Sequence, residues 1–211
     1  DVEDVIFNIT PTETPALTMA KRTKVSAVNH QWQTDSLAAA GTNAAVEGDD
    51  STYATGTPPT LLSNYLQIYK KSVMISGTAD AVRKYGRKEE FAYQMAKKGK
   101  ELKRDIEFSI VQNAKSSAGS TTVARSSAGL ESMIAGNRIL AGSTNTTGTT
   151  AGYASGLWTA PVDGTTAAFT ETALVAALDA AWTDGGDPSV IMTNSSQKRV
   201  MATFGGASKF A

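Results

Sequence analysis

Cysteine is absent from the 211 residues, which excludes disulfides and thiolate metal sites and leaves the fold to packing or to association with other chains. Histidine occurs once, as His30, so no imidazole pair can hold a metal and little remains from which to build a catalytic triad. No apolar run approaches the roughly 20 residues a bilayer span needs. The opening residues DVEDVIFNIT are acidic where a secretory leader is basic, so neither a membrane span nor a leader is expected. Also missing are GxxxxGK[ST], GxGxxG behind a strand, GxSxG and HExxH, the patterns that would cradle phosphates, seat a nucleophile or bind zinc. These absences remove most enzyme classes. What remains is a composition of 41% hydrophobic and 19% charged residues, that of a globular chain long enough for one sizeable domain or two small ones.

Net charge is also zero, with 20 basic and 20 acidic residues, yet the charges are sorted along the chain. Residues 1 to 50 hold eight acids (Asp1, Glu3, Asp4, Glu13, Asp35, Glu47, Asp49 and Asp50) against the three bases Lys21, Arg22 and Lys24. Residues 70 to 104 hold eleven bases against four acids. Such polarity suits self-association, because the acidic segment of one copy can meet the basic segment of another.

The apolar patch Val5, Ile6 and Phe7 is followed by TPTETP, whose prolines break a helix and favour an extended arm. NHQWQTDSL alternates His30, Trp32 and Thr34 with Gln31, Gln33 and Asp35, the period of a strand. LSNYLQIYKKSVMISG is rich in β-branched and aromatic residues and alternates likewise, with Tyr65, Gln67, Tyr69, Lys71 and Val73 on one face. The two make a long hairpin, with AAGTNAAVEGDDSTYATGTPPT, residues 39 to 60, at its tip. Unstructured loops beyond about 12 to 15 residues are uncommon in compact domains and are usually functional or disordered. An isolated hairpin is marginal in water, so this one is expected to lean on another surface.

The strongest helical signal is residues 87 to 114. Phe91, Met95, Gly99, Leu102, Ile106 and Ile110 recur at spacings of three and four, a stripe about 42 Å long at ~1.5 Å per residue. Gly99 on that stripe predicts close packing or a bend. Residues 115 to 168 are rich in Ser, Thr and Gly, interrupted by GLESMIAGNRIL, a short helix or strand edge, and AGSTNTTGTTAGYASG reads as a second long loop. Thr170 is placed to cap a helix running through Trp182, with Leu174, Val175, Leu178 and Ala181 inward, ended by Gly185 and Gly186. SVIMT then predicts a short buried strand, and Asn194 a cap for a helix carrying Val200, Met201 and Phe204. Helix, strand and helix in succession indicate an α/β layer. One strand between two helices needs neighbours that nothing after Phe204 supplies, and the chain begins without Met. A longer parent protein is expected.

Among chemical candidates, EGDDS offers the carboxylates of Glu47, Asp49 and Asp50 to a hard cation, but without the EF-hand pattern. Acids at a loop tip more commonly contact solvent or a partner. His30 alone on a strand reads more simply as packed than as a general base. Lys97, Lys98, Lys100, Lys103 and Arg104 form a basic helical surface, able in principle to touch phosphates. The plainer reading is a solvated or partner-contacting face with Lys97–Glu101 and Lys103–Glu107 pairs. No metal, cofactor or catalytic residue is assigned.

The order of arm, long hairpin, long helix and helix–strand–helix layer resembles the major capsid protein of tailed bacteriophages. The likeness extends to the residues: NITPTETPALTMA, HQWQTDSLAAA, EGDDSTY, LSNYLQIYKKSVMISGT and AKKGKELKRDIE are similar to the text of a phage major head protein family over most of residues 1 to 135. After Leu140 the likeness is to the architecture.

That resemblance implies an α+β fold of the HK-ninety-seven type, shared with herpesvirus shells. Residues 1–28 would be an N-terminal arm, 29–76 an extended hairpin loop, and 77–140 a peripheral domain with spine helix 87–114. Residues 141–168 would be a Thr/Gly-rich loop and 169–211 the start of an axial domain whose C-terminal remainder is absent. It implies a non-enzymatic subunit of an icosahedral head, located in the virion and assembled in the host cytoplasm. Its partners would be its own copies in pentamers and hexamers, with scaffold, portal and decoration proteins as further ones. DNA would be enclosed without sequence-specific binding. Some capsids of this fold form lysine–asparagine cross-links, but no motif here assigns one to Lys70 or Lys71. The acids Glu47, Asp49 and Asp50 and the bases Lys97, Lys98, Lys100, Lys103 and Arg104 are the candidate contacts between subunits. Rival readings are a phage tail or decoration subunit, a bacterial surface-layer protein, or a hydrolase or binding module with a pocket of converging polar groups.

Overall fold

Residues 90 to 111 combine good helix formers with an acidic start, and in the computed structural model they make the longest element of the chain. The model describes residues 9–50, 53–82, 84–86, 89–112, 114–137, 139, 152–162 and 168–205. In chain order the elements are α1 (Pro15–Met19), β1 (Asn29–Thr34), β2 (Thr60–Tyr65), α2 (Gly77–Ala81), α3 (Glu90–Val111), α4 (Leu130–Met133), β3 (Gly152–Ala154), β4 (Leu157–Thr159), α5 (Glu171–Thr183) and α6 (Ser195–Met201). The mixture of helices and antiparallel strands is α+β.

Helix α3 is shorter than the predicted 87–114. Its N-terminus is capped from a distance, because Asp80 in α2 accepts hydrogen bonds from the backbone N–H groups of Glu90 and Phe91 at 3.1 and 3.2 Å. Two of the donors that a helix start leaves without an intrahelical partner are thereby satisfied. It ends where Gln112 turns to an extended ψ of 155°. Of the expected stripe, Leu102, Ile106 and Ile110 are half-buried, while Phe91 and Met95 are 46% and 53% exposed. Gly99 has open space where a side chain would be, so it marks no close packing. The apolar stripe is therefore covered by its own subunit only in the second half of the helix.

That half is gripped from two sides. Glu107 accepts from the N–H groups of Ala16 and Leu17 at 2.9 and 2.7 Å, which ties α1 to α3. The prolines were expected to keep this region free of helix. Pro15 instead stands at the first position of α1, where its fixed φ fits and its missing N–H costs nothing. On the other side, Tyr69 bonds Ser109 and Lys71 pairs with Asp105 at 2.6 Å.

Strands β1 and β2 pair antiparallel, from Asn29 opposite Tyr65 to Thr34 opposite Thr60. The second strand is shorter than expected. Beyond Tyr65 the burial still alternates, with Gln67, Tyr69, Val73 and Ile75 half-buried between exposed neighbours. No ladder partner is present there among the described residues. SVIMT, expected as a strand, likewise has no ladder partner among them.

The core lies where the sequence predicts loop. Within the expected Thr/Gly-rich loop 141–168, residues 140–151 and 163–167 lie outside the described residues, but β3 and β4 form a hairpin closed by Ser155 and Gly156, at φ 52° and 82°. Two positive φ values make the type I′ geometry that matches strand twist. The hairpin presents Trp158, 6% exposed. Its indole N–H donates to the carbonyl of Ser63 at 2.7 Å, and its backbone N–H donates to Ser116 Oγ at 2.7 Å. The ring stacks on Trp32 at 6.4 Å and meets Tyr153 at 5.2 Å, while Tyr153 bonds Ser63 Oγ at 2.8 Å. Ala16, Ala128 and Trp158 are the buried hydrophobic residues among those described, accompanied by Ser63, Ser109, Ser116 and Ser132. Each buried hydroxyl has a partner, as a dry interior demands.

The C-terminal helices follow their local signals. Thr170 Oγ1 caps α5 through Ala173 N–H, and Asn194 Oδ1 caps α6 through Gln197 N–H. Gly185, at φ 80°, and Gly186 return N–H groups to Trp182 and Ala181 and end α5. Leu174, Leu178 and Ala181 are half-buried, but Val175, expected inward, is 44% exposed. GLESMIAGNRIL provides the four-residue helix α4.

Candidate functional site

The loop between Thr34 and Thr60 has no inward face. Every described residue from Asp35 to Pro59 is exposed, and the hydrogen bonds that tie the tip are local: Ser36 N–H to Asp35, and Asp49 N–H to the Val46 carbonyl at 3.2 Å. That last bond closes a turn at the tip, with Gly48 at φ 83°. Glu47, Asp49 and Asp50 stand on or beside this turn, all exposed. Among the described residues they form no ion pair, and no group of three His, Asp or Glu residues is placed to hold a metal. Since Thr34 and Thr60 are paired, the tip lies about 13 residues from its root and can project up to ~40 Å at the chain's extended reach.

The basic surface belongs to the middle of α3. Lys97, Lys100, Lys103 and Arg104 are exposed. Lys98 is engaged, donating to Glu101 at 2.7 Å. That hydrogen bond, with the charges of Lys98, Lys71 and Lys97, holds the Glu101 carboxyl below the ordinary glutamate value. On the flank, the hydrogen bond to Asp105 holds the Lys71 ammonium above the ordinary lysine value. The expected Lys97–Glu101 and Lys103–Glu107 pairs are replaced. Lys98 reaches Glu101 first, at three residues' spacing, and Glu107 is occupied by the backbone of α1. The tip acids and this basic face form no ion pair with each other within one copy, among the described residues.

His30 is exposed, lies opposite Asn64 in the ladder, and has its ring 5.8 Å from Trp32. It lines a cleft of about 590 Å³ with Lys21, Arg22, Trp32, Leu66 and Met133. Among the described residues, no carboxylate lines this cleft. The run KRTK at 21–24, a few residues before an aromatic strand, is the one signal of this cleft legible in the sequence. What could not be read is that Met133 and Ser127, about a hundred residues downstream, complete the walls.

The family model described as SU10 major capsid protein matches residues 1–210. The protein named major capsid protein from Escherichia phage Phieco32 is 41% identical over 100 residues, which is 47% of this chain and 28% of that protein. The matched region thus spans less than a third of the relative's length. Among the described residues, no helix is long and apolar enough to cross a membrane.

Proposed function

The chain belongs to the SU10 major capsid protein family, and we propose on that premise that it is a repeated structural subunit whose copies close into an icosahedral phage head around packaged DNA. The reading rests above all on the family match along residues 1–210. The solvent-facing loop 35–59 is consistent with it, since a projection that buries nothing in its own subunit is suited to burial on a neighbour. The exposed apolar side chains support it too. Met74 is 97%, Ile68 75% and Trp182 74% exposed, and exposed apolar surface of this kind commonly marks contact between proteins.

In this reading the fold is of the HK-ninety-seven type. Residues 1–28 act as arm, 29–76 as the extended loop, 77–140 as the peripheral domain and 169 onward as the start of the axial domain. The acids Glu47, Asp49 and Asp50 approach the basic face of a neighbouring copy, with Lys97, Lys98, Lys100, Lys103 and Arg104 supplying the field. Exposed ion pairs contribute only about 0 to 1 kcal/mol each and are screened by salt, so this field sets approach and register more than affinity. The role is structural, the site of action is the virion, and scaffold, portal and decoration proteins are the further partners.

Electron microscopy of the purified full chain, alone and co-expressed with its neighbouring virion proteins, tests the reading. Closed shells are expected. Replacing residues 42 to 57 with a short Gly/Ser linker should leave helix content unchanged and abolish shells. Shells of normal size from the shortened protein would show that the loop takes no part in assembly.

A further inference from the structure

The basic face of α3 explains attraction but not retention. It is the convex surface of a helix, Lys97, Lys100, Lys103 and Arg104 are exposed, and Lys98 is already satisfied by Glu101. A contact that holds needs a concave, partly desolvated seat with an aromatic anchor. The chain has such a place beside the basic run at 21–24. The cleft of about 590 Å³ has Lys21 and Arg22 among its lining residues together with Trp32, Leu66 and Met133. Trp32 is held in place there by stacking on the buried Trp158 at 6.4 Å.

The loop tip carries the complementary pattern. Its acids Glu47, Asp49 and Asp50 are bracketed by Val46, 77% exposed, and Tyr53, 96% exposed. We infer that the tip of one copy, with Val46, Glu47, Asp49, Asp50 and Tyr53, seats in the cleft of a second copy, its carboxylates against Lys21 and Arg22 and its Tyr53 and Val46 against Trp32, Leu66 and Met133. The face of α3 then steers the tip, and the cleft keeps it. This rests on the capsid reading, because it requires neighbouring copies.

The absence of cysteine makes the test direct. Asp49→Cys and Arg22→Cys are introduced singly into separate full chains, which are co-assembled and treated with a short bis-maleimide. Linked pairs are expected between the two variants. A control mixture of Asp49→Cys with Lys100→Cys should link weakly. In parallel, Lys100→Glu with Lys103→Glu should slow assembly most at low salt and leave finished shells as resistant to denaturant as the parent. Arg22→Glu, outside the core stack of Trp32 on Trp158, should yield shells that fall apart at lower denaturant, with stability restored by Asp49→Arg on the partner. Shells that link through Lys100 but never through Arg22 would overturn the seat while leaving the capsid reading intact. Linkage of Arg22→Cys to a thiol of another virion protein in place of the tip would overturn it equally. If no chain builds shells, the capsid reading fails, and the seat with it.

Discussion

Replacing Trp158 tests whether one side chain organises the subunit. The residue is 6% exposed, its indole N–H reaches the Ser63 carbonyl at 2.7 Å, and its ring stacks on Trp32 and meets Tyr153 at a tilt. Trp158→Ala removes the ring, the hydrogen bond and both aromatic contacts, a loss of about 3 to 5 kcal/mol for a buried aromatic. In a chain of this length each kcal/mol lowers the thermal midpoint by ~2 to 4 °C, so the expected fall is roughly 6 to 20 °C. Trp158→Phe keeps most of the packing and forfeits the hydrogen bond to Ser63, whose net contribution is about 1 kcal/mol. It should therefore lie between parent and Ala. A cycle with Trp32→Ala should show a coupling of ~0.5 to 1.5 kcal/mol for the stacked pair. The assay is guanidinium denaturation of the full chain followed by far-UV circular dichroism. A loss under about 1 kcal/mol for Trp158→Ala, within the range of an ordinary surface change, would refute the claim that the core gathers here.

The carboxylate of Glu107 holds the start of α1, so Glu107→Gln should weaken both bonds and speed amide hydrogen exchange at Ala16 and Leu17, while exchange in the second half of α3 stays slow. Unchanged exchange at those two amides would remove Glu107 from the arm's anchorage. Glu101 gives a pH signature. Its folded pKa lies below the ordinary 4.5, so its contribution to stability is present above that value and is lost as pH falls through the lower, folded value. In Lys98→Ala the Glu101 titration, followed by carboxyl carbon chemical shift, should move up toward 4.5; an unmoved titration would mean that Lys98 is not the cause.

Features that depend on a few consecutive residues were legible in the sequence. Thr170 and Asn194 cap their helices as their hydroxyl and amide chemistry requires, and Gly185 and Gly186 end α5. The pairing of the first two strands was likewise visible, from alternation around Trp32 and in the stretch after Leu61. The β3–β4 hairpin was not, because three-residue strands are too short to show a period. The Ser-Gly turn flanked by Tyr153 and Trp158 was the usable clue. The exposure of the first half of α3 was not legible for a different reason. Periodicity identifies an apolar face, but Phe91 and Met95 look the same in sequence whether they meet their own subunit or another surface. Of the candidate contacts, residue type and exposure were legible for Glu47, Asp49, Asp50, Lys97, Lys100, Lys103 and Arg104. The capture of Lys98 by Glu101 and of Glu107 by α1 depends on rotamers and on a contact 91 residues away.

The bond from Trp158 to Ser63 spans 95 positions of sequence, which carries a consequence for synthesis. At ~5 to 20 residues per second, the ribosome delivers Trp158 roughly 5 to 20 s after Ser63. Throughout that interval β1, β2 and their projecting loop are already made, with Trp32 lacking the ring it will stack on. On a polysome, neighbouring nascent chains would pass through this half-built state side by side. The proposed contact surfaces are thus translated before the residue that completes the core, so in the capsid reading early association is a hazard that synthesis has to outrun.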